Sequence, residues 1–162
     1  MKIEQKLWTK ETGWQNTSLE KLSEKPQLVL VFGGRTLMED ERYFKEIRSL
    51  YPKSHIIECS TAGEVLDTKV RDNSIALTAI FFKKTKVKFA ETDIADIDDS
   101  LAAGKRLADA LPQKGLVHAM VFSDGLHVNG TSLVEGLNNN LPPTVSVTGG
   151  LVGDGADFKK TV

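Results

Sequence analysis

The first half of the chain combines an apolar run, an amphipathic segment and a second short run. Residues 27–32 are almost continuously apolar and end at a glycine pair, as expected for a strand that is buried on both faces. Residues 39–51 carry apolar side chains at helical spacing, and Pro52 ends that pattern. A second strand is predicted at 55–59. This order predicts a strand–helix–strand unit.

The second half of the chain has the same order of patterns. An apolar run predicts a strand at 116–122, and helical spacing predicts a helix over about 132–141. A last strand is predicted at 144–148. The second half therefore predicts another strand–helix–strand unit.

A different pattern separates the two units. Segments 74–82 and 86–94 alternate polar and apolar residues, which predicts an antiparallel β-hairpin. Helices are predicted at 101–111 and, from a weaker pattern, at 17–23. The expected fold class is α/β, with a mixed sheet built from two pseudo-repeated βαβ units joined by an antiparallel β-hairpin and a helix.

The two units keep a constant spacing along the chain. Phe32 and Phe122 each close a predicted strand and lie 90 positions apart, and the prolines that end the two helices keep the same spacing. We therefore expect pseudo-repeats over about 27–66 and 117–156, within a single domain of residues 1–162.

Polar loops follow the four strands that this repeat makes parallel. They are rich in Gly, Ser, Thr, Asp and Asn and span 33–38, 60–66, 123–130 and 149–155. Ligands bind at the carboxyl ends of strands in open α/β sheets, and these residue types bring backbone N–H groups and hydroxyls close to a small polar ligand. The sequence therefore predicts a ligand site at this edge.

Three of the loops supply the candidate site residues, and we expect segments 59–64, 123–130 and 149–154 to converge on one polar concavity. The acids Glu64 and Asp154 are suited to binding a ligand ammonium group or to capping loop N–H groups. The predicted ligand-binding residues are Cys59, Ser60, Thr61, Gly63, Glu64, Asp124, Gly125, Asn129, Gly149, Gly150 and Asp154.

The same segments resemble motifs of the FIST domain family. The sequence CSTAGE at 59–64 is similar to the motif of that name, residues 123–130 resemble a second motif, and 149–154 resemble a GGxxGD segment. The resemblance covers about 27–162 and implies a sensory domain that binds small molecules such as amino acids in signal transduction. Because family members usually carry a C-terminal FIST portion, it also implies that this N-terminal-type chain is a fragment.

Two other functions remain open from the residues. A hydrolase or transferase could use carboxylates, or Cys59 as a nucleophile with His127 as its base. A protein-interaction module would need no small ligand. We expect no enzyme activity, because no base lies next to Cys59 in the sequence.

Charge and composition limit the partners. The net charge of −1 disfavours nucleic acid, and no apolar run reaches the ~20 residues of a membrane span. The single cysteine allows no internal disulfide, which favours a cytoplasmic location. The three histidines lack metal-ligand spacing, so neither a metal nor a cofactor is expected. The expected partners are an amino-acid-like small molecule and a downstream signalling protein or domain.

Overall fold

The computed structural model describes residues 1–18 and 21–162. The chain divides into two compact units: unit 1 comprises Met1–Val87 and Gly153–Val162, and unit 2 comprises Lys88–Val152. The helix predicted over 17–23 includes residues that lie outside the described ones. Among the described residues, no helix combines the length and the apolar character needed to cross a membrane. The predictions of a single domain and of a fragment stay predictions.

Unit 1 contains a mixed sheet and a small separate hairpin. Its strands are β1 (Lys2–Thr9), β2 (Gly13–Asn16), β3 (Leu28–Gly34), β4 (His55–Thr61), β5 (Glu64–Leu66), β6 (Lys69–Arg71) and β7 (Ile75–Phe81). Its helices are α1 (Arg35–Met38) and α2 (Glu41–Leu50). The five-stranded sheet has the order β2-β1-β7-β3-β4, with β3 and β4 parallel and the other neighbours antiparallel. Strands β5 and β6 pair with each other.

One face of this sheet is covered by α2. The Asp40 side chain accepts a hydrogen bond from the Arg42 backbone N–H and so caps the start of the helix. Tyr43 and Ile47 are buried from the helix side against β-branched and aliphatic side chains of the sheet, including Val31. Trp8 packs edge-on against Tyr43, with ring centroids 4.7 Å apart. This packing buries Val31 of β3 beneath α2, and β4 pairs with β3 as its parallel neighbour.

Unit 2 is smaller and is built around two helices. It contains a 3₁₀ turn (Ile97–Asp99), α3 (Ser100–Ala110), β8 (His118–Ser123), α4 (Gly130–Asn140) and β9 (Ser146–Leu151). Strands β8 and β9 are parallel and form a separate two-stranded sheet. The helices approach closely where Gly104 meets Gly136, because neither residue carries a side chain at that point. Ala103, Leu133 and Leu137 are buried in the core of this unit.

The predicted α/β fold class with two strand–helix–strand units is confirmed, and the structure differs from the prediction in two details. The second unit has its own two-stranded sheet in place of strands in one common sheet. The hairpin predicted between 74–82 and 86–94 is wrong: β7 pairs with β1 and β3, and residues 86–94 form no strand. β7 is the central strand of the five-stranded sheet and pairs with β1 and β3 on its two edges, so it has no free edge for residues 86–94.

Candidate ligand-binding site

A cleft opens in unit 1 at the C-terminal ends of the parallel strands β3 and β4. Its volume is about 220 Å³ and it is open to solvent on one side. The start of β7 and the segment after β9 complete its walls. It is lined by Gly34, Arg35, Thr36, Thr61, Ala62, Gly63, Glu64, Asp72, Asn73, Asp154, Gly155, Ala156 and Asp157.

Two residues in unusual backbone conformations shape the walls. Gly63 has a φ of +152°, which favours glycine. A Cβ at this position would lie 3.2 Å from a Val70 methyl group and 3.7 Å from Asp72 Oδ1. Asn73 has a φ of +53°, in the left-handed region that asparagine tolerates well. The chain can therefore bend sharply on both sides of the cleft and keep its centre open.

Glu64 is a buried residue that connects two of the segments lining the cleft. The residue is 1% exposed, and its Oε2 accepts hydrogen bonds from the Ser74 backbone N–H at 3.1 Å and from Ser74 Oγ at 2.8 Å. Thr61 Oγ1 donates to Glu64 Oε1 at 2.7 Å. Both carboxylate oxygens are therefore engaged by the protein, and Glu64 ties the end of β4 to the start of β7.

Asp154 has a similar anchoring role in the C-terminal segment. Its Oδ2 accepts the backbone N–H groups of Lys159 at 2.7 Å and Lys160 at 2.9 Å, and Arg35 Nε donates to Oδ1. The Lys160 N–H, then the Lys159 N–H and the Arg35 guanidinium hold the pKa of Asp154 below its usual value. The side chain is almost fully buried and stays ionised at neutral pH.

Arg35 is the cation of the cleft and is balanced by several acids. Besides Asp154, its guanidinium contacts Asp157 Oδ2 at 3.0 Å and Glu39 Oε2 at 3.2 Å. Glu39 also pairs with Lys160 Nζ at 2.9 Å. The positive charge of Arg35 is thus neutralised by acids of the protein itself. These ion pairs connect Arg35 to the wall that contains Asp154 and Asp157.

Ser60 joins this wall to the sheet. Its backbone N–H donates to the Val162 carbonyl at 2.8 Å, and its Oγ accepts from the Val162 N–H at 2.9 Å. The Gly153 N–H donates to the Ser60 carbonyl at 2.9 Å. The segment 153–162 therefore lies along the free edge of β4.

Three lining side chains have hydrogen-bonding groups that have no partner among the described residues. Thr36, Asp72 and Asn73 are exposed, and their side chains make no hydrogen bond or ion pair to any described residue. They supply a hydroxyl, a carboxylate and an amide at the mouth of the cleft. The anchored acids build the cleft, and these three groups are available to a ligand.

Cys59 lies next to this region and has a different environment. It is 2% exposed in β4, opposite Phe32, and is not among the cleft-lining residues. Burial, with a smaller contribution from Glu58, raises the pKa of the thiol to about 11. At neutral pH the side chain is a neutral thiol, which is a poor nucleophile.

The comparison with protein families agrees with the motifs noted above. The sequence model of the FIST N domain family matches residues 27–162, most of the chain. The chain belongs to the FIST N domain family. FIST domains are sensory, ligand-binding modules of signalling proteins and are not known as catalytic. Comparison with curated proteins and with solved structures gave no match.

The second FIST segment lies in unit 2, where its polar side chains have local partners. Asp124 Oδ1 accepts the Leu126 N–H at 2.7 Å, and its Oδ2 pairs with His127 Nδ1 at 2.7 Å. Asn129 caps α4, because its Oδ1 accepts the Ser132 N–H at 3.1 Å. Asp124 and Asn129 thus define the turn that leads into α4.

The glycines of the FIST segments in unit 2 differ from one another. A Cβ at Gly125 would collide with the Val152 carbonyl, and one at Gly149, where φ is +152°, with the Val121 carbonyl. Both positions require glycine for close backbone approach. Gly150, by contrast, is exposed and has open space around it.

The structure brings four of the predicted site residues together around the cleft: Thr61, Gly63, Glu64 and Asp154. Hydrogen bonds tie the segments 59–64 and 153–155 directly to each other. The predicted convergence of these segments with 123–130 involves residues of both units and stays a prediction.

Sequence reasoning missed several lining residues. The loop 33–38 was expected at this edge, but Arg35 and Thr36 were not singled out. Asp72-Asn73 was missed because β7 was assigned to a hairpin with the residues after it, which left its start away from β3. The signal was present, because an Asp-Asn pair directly before an apolar strand is typical of a turn. Among the described residues, no group of three or more His, Cys, Asp or Glu side chains is arranged to hold a metal ion.

Proposed function

We propose that unit 1 is a sensory domain that binds a small, amino-acid-like metabolite in the cleft at the ends of β3 and β4. The observation that carries this proposal is the set of unengaged side chains, Thr36, Asp72 and Asn73, around an open centre at Gly63. The position supports it, because the carboxyl ends of parallel strands are the usual ligand site of such sheets. The sensory character of FIST domains supports it independently.

The chemistry of the free groups favours a ligand that carries an amine. The Asp72 carboxylate is suited to an ammonium group through a charge-assisted hydrogen bond. The Asn73 amide and the Thr36 hydroxyl can each donate or accept, so they suit a carboxylate or hydroxyl on the same ligand. The other three acids of the cleft, Glu64, Asp154 and Asp157, have partners within the protein and hold the walls in position.

The size of the cleft limits the ligand to a small molecule. The volume of the cleft is about 220 Å³. This is below the ~300–1,000 Å³ that is typical of pockets for drug-sized ligands. A ligand with the dimensions of a single amino acid fits this range better than a nucleotide.

A thermal-shift screen of amino acids and small amines tests the proposal. A ligand at one hundred times its dissociation constant stabilises the folded state by about 2.7 kcal/mol, which gives a readable shift in Tm. We expect at least one amine-bearing compound to raise Tm. A screen in which no such compound changes Tm would contradict the proposal.

A pair of charge-matched variants locates the binding. Asp72→Asn removes the free carboxylate and should abolish the shift produced by the amine ligand. Asp67→Asn removes the same charge at the exposed turn between β5 and β6, outside the cleft, and should leave the shift unchanged. Equal responses of the two variants would place the ligand elsewhere.

The resemblance and the location of the cleft also lead us to propose a downstream signalling protein or domain as the recipient of the signal. A cysteine-based hydrolase receives no support from Cys59, whose thiol is buried and neutral at physiological pH. In the sensory function that we propose, the cleft binds the ligand and catalyses no reaction.

A further inference from the structure

The end of the five-stranded sheet opposite the cleft carries a group of lysines, here called the basic end. It consists of Lys2, Lys25, Lys53, Lys83 and Lys84. The sheet register shows why these residues share one end. Lys2 at the start of β1 lies opposite Phe81 at the end of β7.

The other two strands begin at the same end. Leu28 at the start of β3 lies opposite Ile80 of β7 and opposite His55 at the start of β4. Lys25 therefore precedes β3, Lys53 precedes β4, and Lys83-Lys84 follow β7, all at this end. Each of the four neighbouring strands contributes at least one lysine.

The charges of the basic end are largely uncompensated. Lys2 pairs with Glu24 at 2.5 Å. Lys25, Lys53, Lys83 and Lys84 are exposed and make no ion pair with any described residue. At the other end of the same sheet, the cleft is lined by four acids and one arginine. The basic end thus carries four lysines without an ion-pair partner among the described residues, although the whole chain has a net charge of only −1.

We propose that the basic end is a docking surface for an acidic segment of a partner protein. Unpaired like charges on one surface repel each other, and the binding of an oppositely charged partner reduces this repulsion. Lysines on flexible stems suit a partner with several carboxylates in variable positions. This surface lies outside the cleft, so the inference stands independently of the proposed ligand.

The dimensions favour an extended polypeptide. Strands β1, β7, β3 and β4 are neighbours, and at ~4.8 Å between strands they span about 14 Å. An extended chain that rises ~3.4 Å per residue crosses this width with about four residues. The basic end contains no arginine for bidentate phosphate contacts, which disfavours nucleic acid.

Binding of a short fluorescein-labelled oligoglutamate peptide, followed by fluorescence anisotropy, tests the inference. We expect saturable binding at low ionic strength that weakens as NaCl is added, since exposed ion pairs are screened by salt. Replacing four lysines of the basic end by glutamine should weaken binding about tenfold or more. The substitutions are Lys25→Gln, Lys53→Gln, Lys83→Gln and Lys84→Gln.

A control with the same net charge separates this surface from general electrostatics. It replaces four lysines at other places, all of them exposed and without an ion pair to the described residues. These substitutions are Lys10→Gln, Lys69→Gln, Lys114→Gln and Lys159→Gln. The control should keep its affinity within about twofold, since none of its four lysines belongs to the basic end.

Three results would overturn the inference. The peptide could fail to bind the wild-type chain at low ionic strength, or both quadruple variants could lose affinity equally. The wild-type chain could also bind vesicles with anionic lipid, or a single-stranded oligonucleotide, more tightly than it binds the peptide. Circular dichroism melting curves of both variants check that they are folded, which the exposure of the replaced side chains leads us to expect.

Discussion

The two strand–helix–strand units of this chain have the same order of elements and nearly the same lengths, but different surroundings. In unit 1, β3 and β4 belong to a five-stranded sheet, and the residues after them meet Asp72-Asn73 and the C-terminal segment. In unit 2, β8 and β9 form a sheet of two strands next to α3 and α4. The same local pattern therefore yields a lined cleft in one case and a set of turns in the other.

The register of the parallel strand pair β8/β9 is shifted by one residue relative to that of β3/β4. Leu28 lies opposite His55 in the first unit, whereas His118 lies opposite Ser146 in the second. The connection from helix to second strand is one residue longer in unit 2, and it contains two prolines. The 90-residue spacing therefore predicts the order and approximate position of the strands and helices. It does not predict which residues lie opposite each other in the second strand pair.

The comparison shows that a polar residue after a strand has no fixed role. Glu64 is buried and holds two loops together, whereas Asp124 is partly exposed and closes its own turn. The surroundings of each strand end decide which of these roles the side chain takes.

The largest effect is expected from removing the anchor of unit 1. Glu64→Ala leaves the Ser74 N–H, Ser74 Oγ and Thr61 Oγ1 without their buried acceptor, so the free energy of unfolding should fall by about 3–4 kcal/mol. Asp124→Ala, the matched change in unit 2, should cost less than about 1 kcal/mol because that carboxylate is partly exposed. Urea denaturation of both variants measures the difference. Equal losses would mean that the two acids have the same role.

A smaller effect is expected from the helix contact of unit 2. A Cβ at Gly104 would collide with the Leu133 carbonyl and the Gly136 backbone, so Gly104→Ala should cost about 1–3 kcal/mol. Gly150→Ala adds the same methyl group where nothing lies within 4 Å, and it should be nearly neutral. A Gly104→Ala variant as stable as the Gly150→Ala control would show that the helices separate without cost.

The C-terminal wall of the cleft should respond to pH through Asp154. A lowered pKa in the folded state means that the carboxylate stabilises the fold above its ordinary pKa of 3.8. This contribution is lost as the pH falls through the lowered value. The stability of wild type should therefore exceed that of Asp154→Asn at pH 7, and the difference should begin to close below about pH 4. A difference that stays constant down to pH 2 would argue against this role.

Cysteine labelling should show a difference in accessibility between position 59 near the end of β4 and position 150 in β9. Cys59 is buried, and a pKa of about 11 in place of 9.0 leaves about a hundredfold less thiolate at neutral pH. Iodoacetamide should therefore label native Cys59 slowly and label it quickly in denaturant. A Gly150→Cys thiol in a Cys59→Ala background lies in open space and should react at the rate of a free thiol. Fast labelling of native Cys59 would support the catalytic alternative.

Much of the fold could be predicted from the sequence, because buried strands and amphipathic helices have strong local patterns. The runs ending at Phe32 and Phe122 are examples. The partner of β7 could not be predicted, since alternation shows that a segment is a strand but not which strand it pairs with. This error hid Asp72 and Asn73 from the predicted site. The motif residues Glu64 and Asp154 were found, but their anchoring role depends on Ser74 and Arg35, which are distant in sequence.

Amide chemical-shift mapping tests directly whether a small amine binds in the cleft at the ends of β3 and β4. ¹H–¹⁵N spectra of the labelled chain are recorded with and without a pooled mixture of the standard amino acids. We expect the perturbed amides to include Thr36, Gly63, Asp72 and Asn73 around the cleft, and we expect Asp72→Asn to remove the perturbation. Additional shifts at 123–130 would confirm the predicted convergence of the FIST segments. Spectra in which the amides of the cleft do not move would contradict the proposed site.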